Sequence, residues 1–208
     1  MLDKSVPYIG VIMVKTKKGY PDFQLPQEYR FHMYEPGDEL KWAELEASVD
    51  EFADEKEAST LFEKVYMPRQ KELPERLVFI TGKDGFAATG TMLDGTHFGS
   101  VLPRVHWVSV HPDHQGRGLA KSLMTRLLDI HAGLDKRYPV YPVYLTTQTW
   151  SYKAVNIYKK FGFEPYTGKM PEGWETQGKS FQEDNKKAWD LIERKLREYT
   201  VEKESRKY

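Results

Sequence analysis

The 208-residue sequence predicts a mixed α+β fold, an antiparallel sheet first and then a strand–helix–strand–helix unit. Three observations carry this. Two apolar runs, 77–81 and 86–93, flank the turn Gly82-Lys83-Asp84-Gly85, a hairpin signal. Leu119, Leu123, Leu127, Ile130 and Leu134 recur at steps of four, four, three and four, one apolar stripe along a long helix. A strand over 143–147 then precedes a short helix over 151–161 that is closed by Gly162.

The other elements follow in order. Residues 8–16 read as a strand through Ile9, Val11, Ile12 and Val14, broken by Lys17-Lys18-Gly19 and Pro21. A second short strand, 29–34, ends at Pro36-Gly37. Asp38 is the expected N-cap of a helix running to about Phe52, with Leu40, Ala43, Leu45 and Ala47 in helical spacing. Residues 58–71 predict another helix through Leu61, Phe62 and Val65, with Pro68 near its end. After Asp94-Gly95 and a loop holding His97, Phe98 and Gly99, residues 101–110 form a longer strand. Pro139 and Pro142 follow the leucine-striped helix. Phe163–Tyr166 predicts a last strand and 167–182 a loop. Residues 183–199 predict an amphipathic helix through Trp189, Ile192, Leu196 and Tyr199, and the charged tail after Thr200 is expected to fray. No internal repeat or linker stands out, so residues 1–208 are expected to form one domain.

Composition narrows the function. Lysine plus arginine equals aspartate plus glutamate at 31 each, so no net field favours nucleic acid or an anionic membrane. The absence of cysteine excludes disulfides, thiolate metal sites and a cysteine nucleophile, and makes a reducing cytoplasm the default location. No apolar run approaches a membrane span, and residues 1–20 lack the layout of a signal peptide.

The segment from Val108 to Ala120 joins a strand to the leucine-striped helix. A helix start offers unpaired N–H groups and the positive end of the dipole, which suits a pyrophosphate. Gly116 and Gly118 remove side chains that would block the approach, and Arg117 and Lys121 can add charge. A nucleotide phosphate loop would need glycines where Gln115 and Ala120 stand. A dinucleotide fingerprint finds Lys121 in its third small position, and this chain lacks the alternating sheet it expects. The pattern Gln/Arg-x-x-Gly-x-Gly/Ala is matched in full by Gln115-Gly116-Arg117-Gly118-Leu119-Ala120.

With that turn, Val110-His111-Pro112 before it, the strand Leu145-Thr146-Thr147, and Ser151-Tyr152-Lys153-Ala154-Val155-Asn156-Ile157-Tyr158 running on to Gly162-Phe163, the sequence resembles the GCN5-related N-acetyltransferase (GNAT) superfamily. The motifs cover residues 101–166; residues 29–100 agree in element order only, and the strand extension 1–28 and the segment 167–208 carry no motif. The resemblance implies a three-layer arrangement: a mixed, mostly antiparallel central sheet, helices on both faces, and a splayed strand pair that takes acetyl-coenzyme A. It implies that residues 115–120, with Gln115, Gly116, Arg117, Gly118, Leu119 and Ala120, hold the pyrophosphate, and that the strand around Val108 and Val110 pairs with the pantetheine arm.

The implied reaction is direct attack of an amine on the thioester. A free alkyl amine titrates near about 10, so a base must take its proton, and the leaving thiolate needs an acid. Tyr158 matches the family's tyrosine position and is the expected acid; a core tyrosine is the alternative. His106, four residues before Val110 where many relatives carry glutamate, is the expected base, against a histidine satisfied on a sheet face. Ser151 and Asn156 are expected to touch the cofactor, although Ser151 also suits an N-cap and Asn156 an exposed helix position. His97 and His111 are weaker candidates; Glu46 lies in the first helix, where relatives often place substrate contacts, but is read as a solvated helix glutamate.

The sequence departs from the family after Gly162-Phe163, where a loop and a helix replace the usual pair of strands. The acceptor is therefore a primary amine of a small molecule or peptide, not further defined. No metal, nucleic acid or membrane partner is expected. The helix 183–199 packs on its own domain, closes the cleft or builds a homodimer. A non-catalytic acetyl-coenzyme A sensor or scaffold on the same fold is the alternative function.

Overall fold

The computed structural model describes residues 2–134 and 141–205. The elements are β1 (Gly10–Lys15), β2 (Arg30–Met33), α1 (Glu39–Ser48), α2 (Glu55–Val65), α3 (Leu73–Arg76), β3 (Leu77–Gly82), β4 (Gly85–Gly95), β5 (Leu102–Val110), α4 (Leu119–Gly133), β6 (Val143–Gln148), α5 (Tyr152–Lys160), β7 (Glu164–Pro165) and α6 (Phe181–Ser205). One seven-stranded sheet runs β2-β3-β4-β5-β6-β1-β7. Neighbours are antiparallel except β5 and β6, which run parallel. The first strand is therefore not beside the second: β1 inserts between β6 and β7, with Gly10 opposite Gln148 and Lys15 opposite Val143.

Strand alternation splits the core into layers. On β3, Val78 and Ile80 join a cluster with Leu119, Leu123 and Leu127 of α4, Val155 of α5 and Trp189 and Ile192 of α6. Leu77 and Phe79 join Trp42 and Leu45 of α1 and Phe62 of α2 on the opposite face. A third cluster, Ile12, Leu102 and Tyr144, is covered by Phe98, Tyr166 and Trp174 from loops rather than by a helix.

Several boundaries differ from the sequence reading, each for a local reason. Helix α1 stops at Ser48 instead of reaching Phe52. Asp50 takes the left-handed conformation (φ 63°), and the N–H groups of Asp50 and Glu51 return to the carbonyls of Ala47 and Glu46. Asp38 makes no side-chain cap; its carboxylate accepts from His32 Nε2 and the Glu35 N–H instead. The inward face of α1 holds Trp42, Leu45, Glu46 and Val49, while Leu40 is 64 % exposed and Ala47 half-buried. Pro68 breaks the expected 58–71 helix, which is α2 followed by a tight 3₁₀ stretch, Met67–Glu72. Helix α6 runs on to Ser205, where fraying was expected from Thr200. The Phe163–Tyr166 strand shortens to two residues. Pro139 lies outside the described residues; among those, no helix is long and apolar enough to cross a membrane.

Candidate active site

Strands β5 and β6 are in register only at Arg104–Tyr144 and Val105–Leu145. Beyond those pairs they splay, so main-chain groups of residues 106–110 and 146–148 face a gap. A bulge on β5 re-aims this stretch: Thr89 of β4 opposes Ser109 while Thr91 opposes His106, leaving one extra residue on β5, and Trp107 takes a positive φ of 48°. Two cavities open from the gap, of about 410 and 390 Å³. They share Glu51, Val108, Ser109, Ser151 and Ala154.

The second cavity reaches the turn between β5 and α4. Gly116 and Gly118 have φ of 79° and 87°, a conformation that L side chains rarely adopt, so these two positions call for glycine. Lys121 N–H is the first to return to Gly118 O. Among the described residues, none of the N–H groups of residues 116–120 finds an acceptor, and all five open on one turn. Val110, Gln115, Gly116, Gly118, Leu119, Ala120 and Asn156 line this cavity, with Val108 and Ser151 at its mouth. Lys121, Lys153, Lys160 and Lys203 stand around it. Two expected contacts take other forms. The Arg117 guanidinium donates to Tyr29 Oη (2.9 Å) and the Asp113 carbonyl (3.1 Å), so it braces the turn instead of facing the cavity. Gln115 Nε2 donates to the Val110 carbonyl (3.0 Å), tying the strand end to the turn. Ser151 stands at the start of α5 but makes no cap bond.

The first cavity is lined by Tyr158, His106 and His97 together with Glu51, Arg104 and Trp174. Tyr158 is fixed by the end of α5, where the N–H groups of Gly162 and Phe163 return to Lys159 and Tyr158 (both 3.1 Å), the glycine-closed ending expected at Gly162. Burial, then Glu51 and Glu46, push its phenol well above its ordinary pKa. His106 Nδ1 lies 3.2 Å from Tyr66 Oη; burial first, then Arg104 and His97, hold it well below 6.5, so the ring is neutral. His111 stays on the turn outside both cavities.

Sequence reasoning set aside one acid, Glu46, and missed another, Glu51. Glu46 is fully buried, accepts from Ser109 Oγ (2.8 Å) and leaves Oε1 without a partner; burial pushes its pKa up to about 8. It lies four residues after Trp42, and the spacing Trp42, Leu45, Glu46, Val49 was the available signal. Glu51 reaches both cavities because the α1 ending turns the chain there, and burial raises its pKa also. No periodic signal marks it.

Glu46 makes stability depend on pH. An unfolded glutamate ionises near 4.5, whereas the buried one stays protonated to about 8, so the stabilisation present below pH 4.5 is lost as pH rises through 8. Glu46→Gln is expected to flatten the profile by on the order of 3 kcal/mol between pH 5 and 8. Urea unfolding at several pH values measures this; a slope equal to the parent's would show Glu46 ionised in the folded chain.

Comparison with known proteins gives the fold a context. Residues 74–165 match the family model described as acetyltransferase (GNAT) domain. No curated protein matches the sequence. A GCN5-related N-acetyltransferase from Sphaerobacter thermophilus superposes with a TM-score of 0.59 at 17% identity, over 76% of this chain and 49% of that one. A GNAT-family acetyltransferase from Colwellia psychrerythraea gives 0.57 at 13%, over 77% and 54%. A tandem GNAT protein from the clavulanic acid biosynthesis pathway, solved without acetyl-coenzyme A, gives 0.55 at 15%, over 76% and 50%. The chain thus spans about half the length of these structures, and at such identities the likeness is one of fold.

Proposed function

We propose that this chain, whose residues 74–165 match the acetyltransferase (GNAT) domain model, moves an acetyl group from acetyl-coenzyme A directly to a primary amine. The observation that carries the reading is the row of free N–H groups over residues 116–120, at the head of a 15-residue helix and beside a splayed strand pair. Such a row holds a pyrophosphate without any side chain. The four surrounding lysines suit the remaining phosphate. Main-chain groups of Val108 and the N–H of Val110, whose carbonyl is held by Gln115, suit an amide-bearing arm lying in the gap, with Asn156 and Ser151 along it.

Acetyl-coenzyme A supplies the thioester at the junction of the two cavities. The amine enters from the Trp174 side. Its nitrogen bonds to the carbonyl carbon, the C–S bond breaks, Glu51 takes the amine proton and Tyr158 gives one to sulfur. Glu51 suits the base role better than His106: its pKa is raised toward neutrality and it stands at the junction, whereas that of His106 is depressed. His106, neutral and anchored on Tyr66, orients the acceptor.

Coenzyme A is expected to raise the melting temperature, since a ligand that binds only the folded state stabilises it. Gly118→Val forces a β-branched residue into a left-handed conformation, at a cost of about 1–2 kcal/mol, in an exposed turn. It should weaken coenzyme A at least ~10-fold while the unliganded protein stays folded. Thiol release from acetyl-coenzyme A over an amine panel completes the test. An unchanged affinity in Gly118→Val would remove the cradle, and thiol release with no amine in the panel would remove the reaction.

A further inference from the structure

We infer that the acceptor is an amine that carries its own carboxylate, with the carboxylate on Arg104 and the ammonium group toward Glu51. The inference rests on the acetyl-transfer reading and adds a substrate class to it.

Arg104 projects from the middle of β5 into the first cavity and is half-buried. Among the described residues its only hydrogen-bond partner is Thr146 Oγ1, through Nη2. Its Nε is buried without a partner, and no carboxylate of those residues lies within salt-bridge reach. The contrast with its neighbours is informative. Arg69 and Arg76 both bond Asp94, at 2.8 and 3.2 Å, and both reach Glu72. Asp94 sits on β4 opposite Pro103, one residue from Arg104 along the sheet, and its carboxylate is already engaged. A guanidinium withdrawn from water without an anion is costly, and its planar fork fits a carboxylate with two parallel bonds.

The rest of the cavity gives the orientation. His97 and His106 are both held below the ordinary histidine range, by burial first, and so remain neutral. The remaining charges on the wall are Arg104, Glu51 and Glu175. Glu51 also lines the cavity of the phosphate-binding turn; Arg104 lines only the acceptor side. A zwitterion lying along this axis places its ammonium group at the junction, where the thioester carbonyl lies, and its carboxylate at the far end.

The test offers each of several amines in four forms: the amino acid, its amide, the decarboxylated amine and a phosphate-bearing analogue. In the parent protein, kcat/KM for the amino acid is expected to exceed that for the amide and the decarboxylated amine by at least ~100-fold. Arg104→Met should remove that preference, mainly through KM, by bringing the amino acid down toward its amide and its decarboxylated amine. Arg104→Lys should restore it in part. The melting-temperature rise given by coenzyme A should be unchanged in both variants, which shows that they are folded. Amines without a carboxylate served as well as amino acids, a preference for phosphate, or a preference that survives Arg104→Met each overturns the inference and leaves acetyl transfer standing. Silence across all four forms removes the acetyl-transfer reading itself, and this inference with it.

Discussion

Tyr158→Phe is expected to lower kcat about 100-fold while leaving coenzyme A affinity and folding stability nearly unchanged. The phenol lies in the first cavity, 7 % exposed, and its hydroxyl has no hydrogen-bond partner among the described residues. A core tyrosine normally satisfies its hydroxyl; one facing a cavity without a partner is available to a reacting atom. Burial, Glu51 and Glu46 all act against ionisation, so the proton stays on oxygen across the neutral range. Loss of that proton donor leaves a thiolate, of pKa near 8.5 for an ordinary thiol, to depart without help. The effect should be specific to turnover because Tyr158 does not border the cavity at the turn of residues 116–120. Removing an unpartnered hydroxyl also costs little stability. Single-turnover kinetics together with a coenzyme A titration measures both quantities. An unchanged kcat would return Tyr158 to a packing role.

How far this site was legible follows from what kind of signal each part emits. The turn at residues 115–120 was readable because backbone chemistry needs glycine at fixed places, and Gly116 and Gly118 are where positive φ occurs. Tyr158 came from its match to the family's tyrosine position; what spacing alone announced was the short helix that carries it and its glycine-closed end. The leucine stripe of α4 was readable from spacing alone: Leu119, Leu123, Leu127 and Ile130 lie in the core as expected, and Leu134, just past the helix, packs against it. Side-chain direction was less so. Arg117 follows the motif, yet its guanidinium bonds Tyr29, 88 residues away in sequence, a partner that no local pattern reveals. The position of β1 between β6 and β7 is likewise a long-range pairing. On α1 the error had a local cause: Leu40 and Ala47 were taken into the apolar spacing, and Glu46 was read as solvated. A glutamate in an inward stripe reads as an exception until burial is known, yet that exception brings a carboxylate against Ser109. Glu51 depends on a left-handed Asp50, which composition does not announce.

Trp42→Ala is expected to destabilise the protein by about 3–5 kcal/mol, the largest effect of any single truncation on the α1 side of the sheet. Trp42 is fully buried, and its ring centroid lies 5.3 Å from Phe62, 5.5 Å from Tyr66, 5.9 Å from Trp107 and 6.0 Å from Phe52. It therefore joins α1, α2 and the bulge of β5 in one aromatic cluster. Among the described residues its indole N–H has no partner, so the loss is one of packing and not of hydrogen bonding. The same cluster positions the acceptor side: Tyr66 meets His106, Trp107 occupies the strained bulge position, and α1 carries Glu46 and ends at Glu51. Slack there should lower turnover as well as stability, whereas the phosphate-binding turn is held from the opposite face by α4 and should still bind coenzyme A. Trp42→Phe refills part of the space and should recover more than half of both losses. Urea unfolding, turnover and the coenzyme A shift in melting temperature, measured on the two variants, separate the faces. A loss below about 1 kcal/mol, or a coenzyme A response that collapses along with turnover, would show that the two faces of the sheet do not carry donor and acceptor separately.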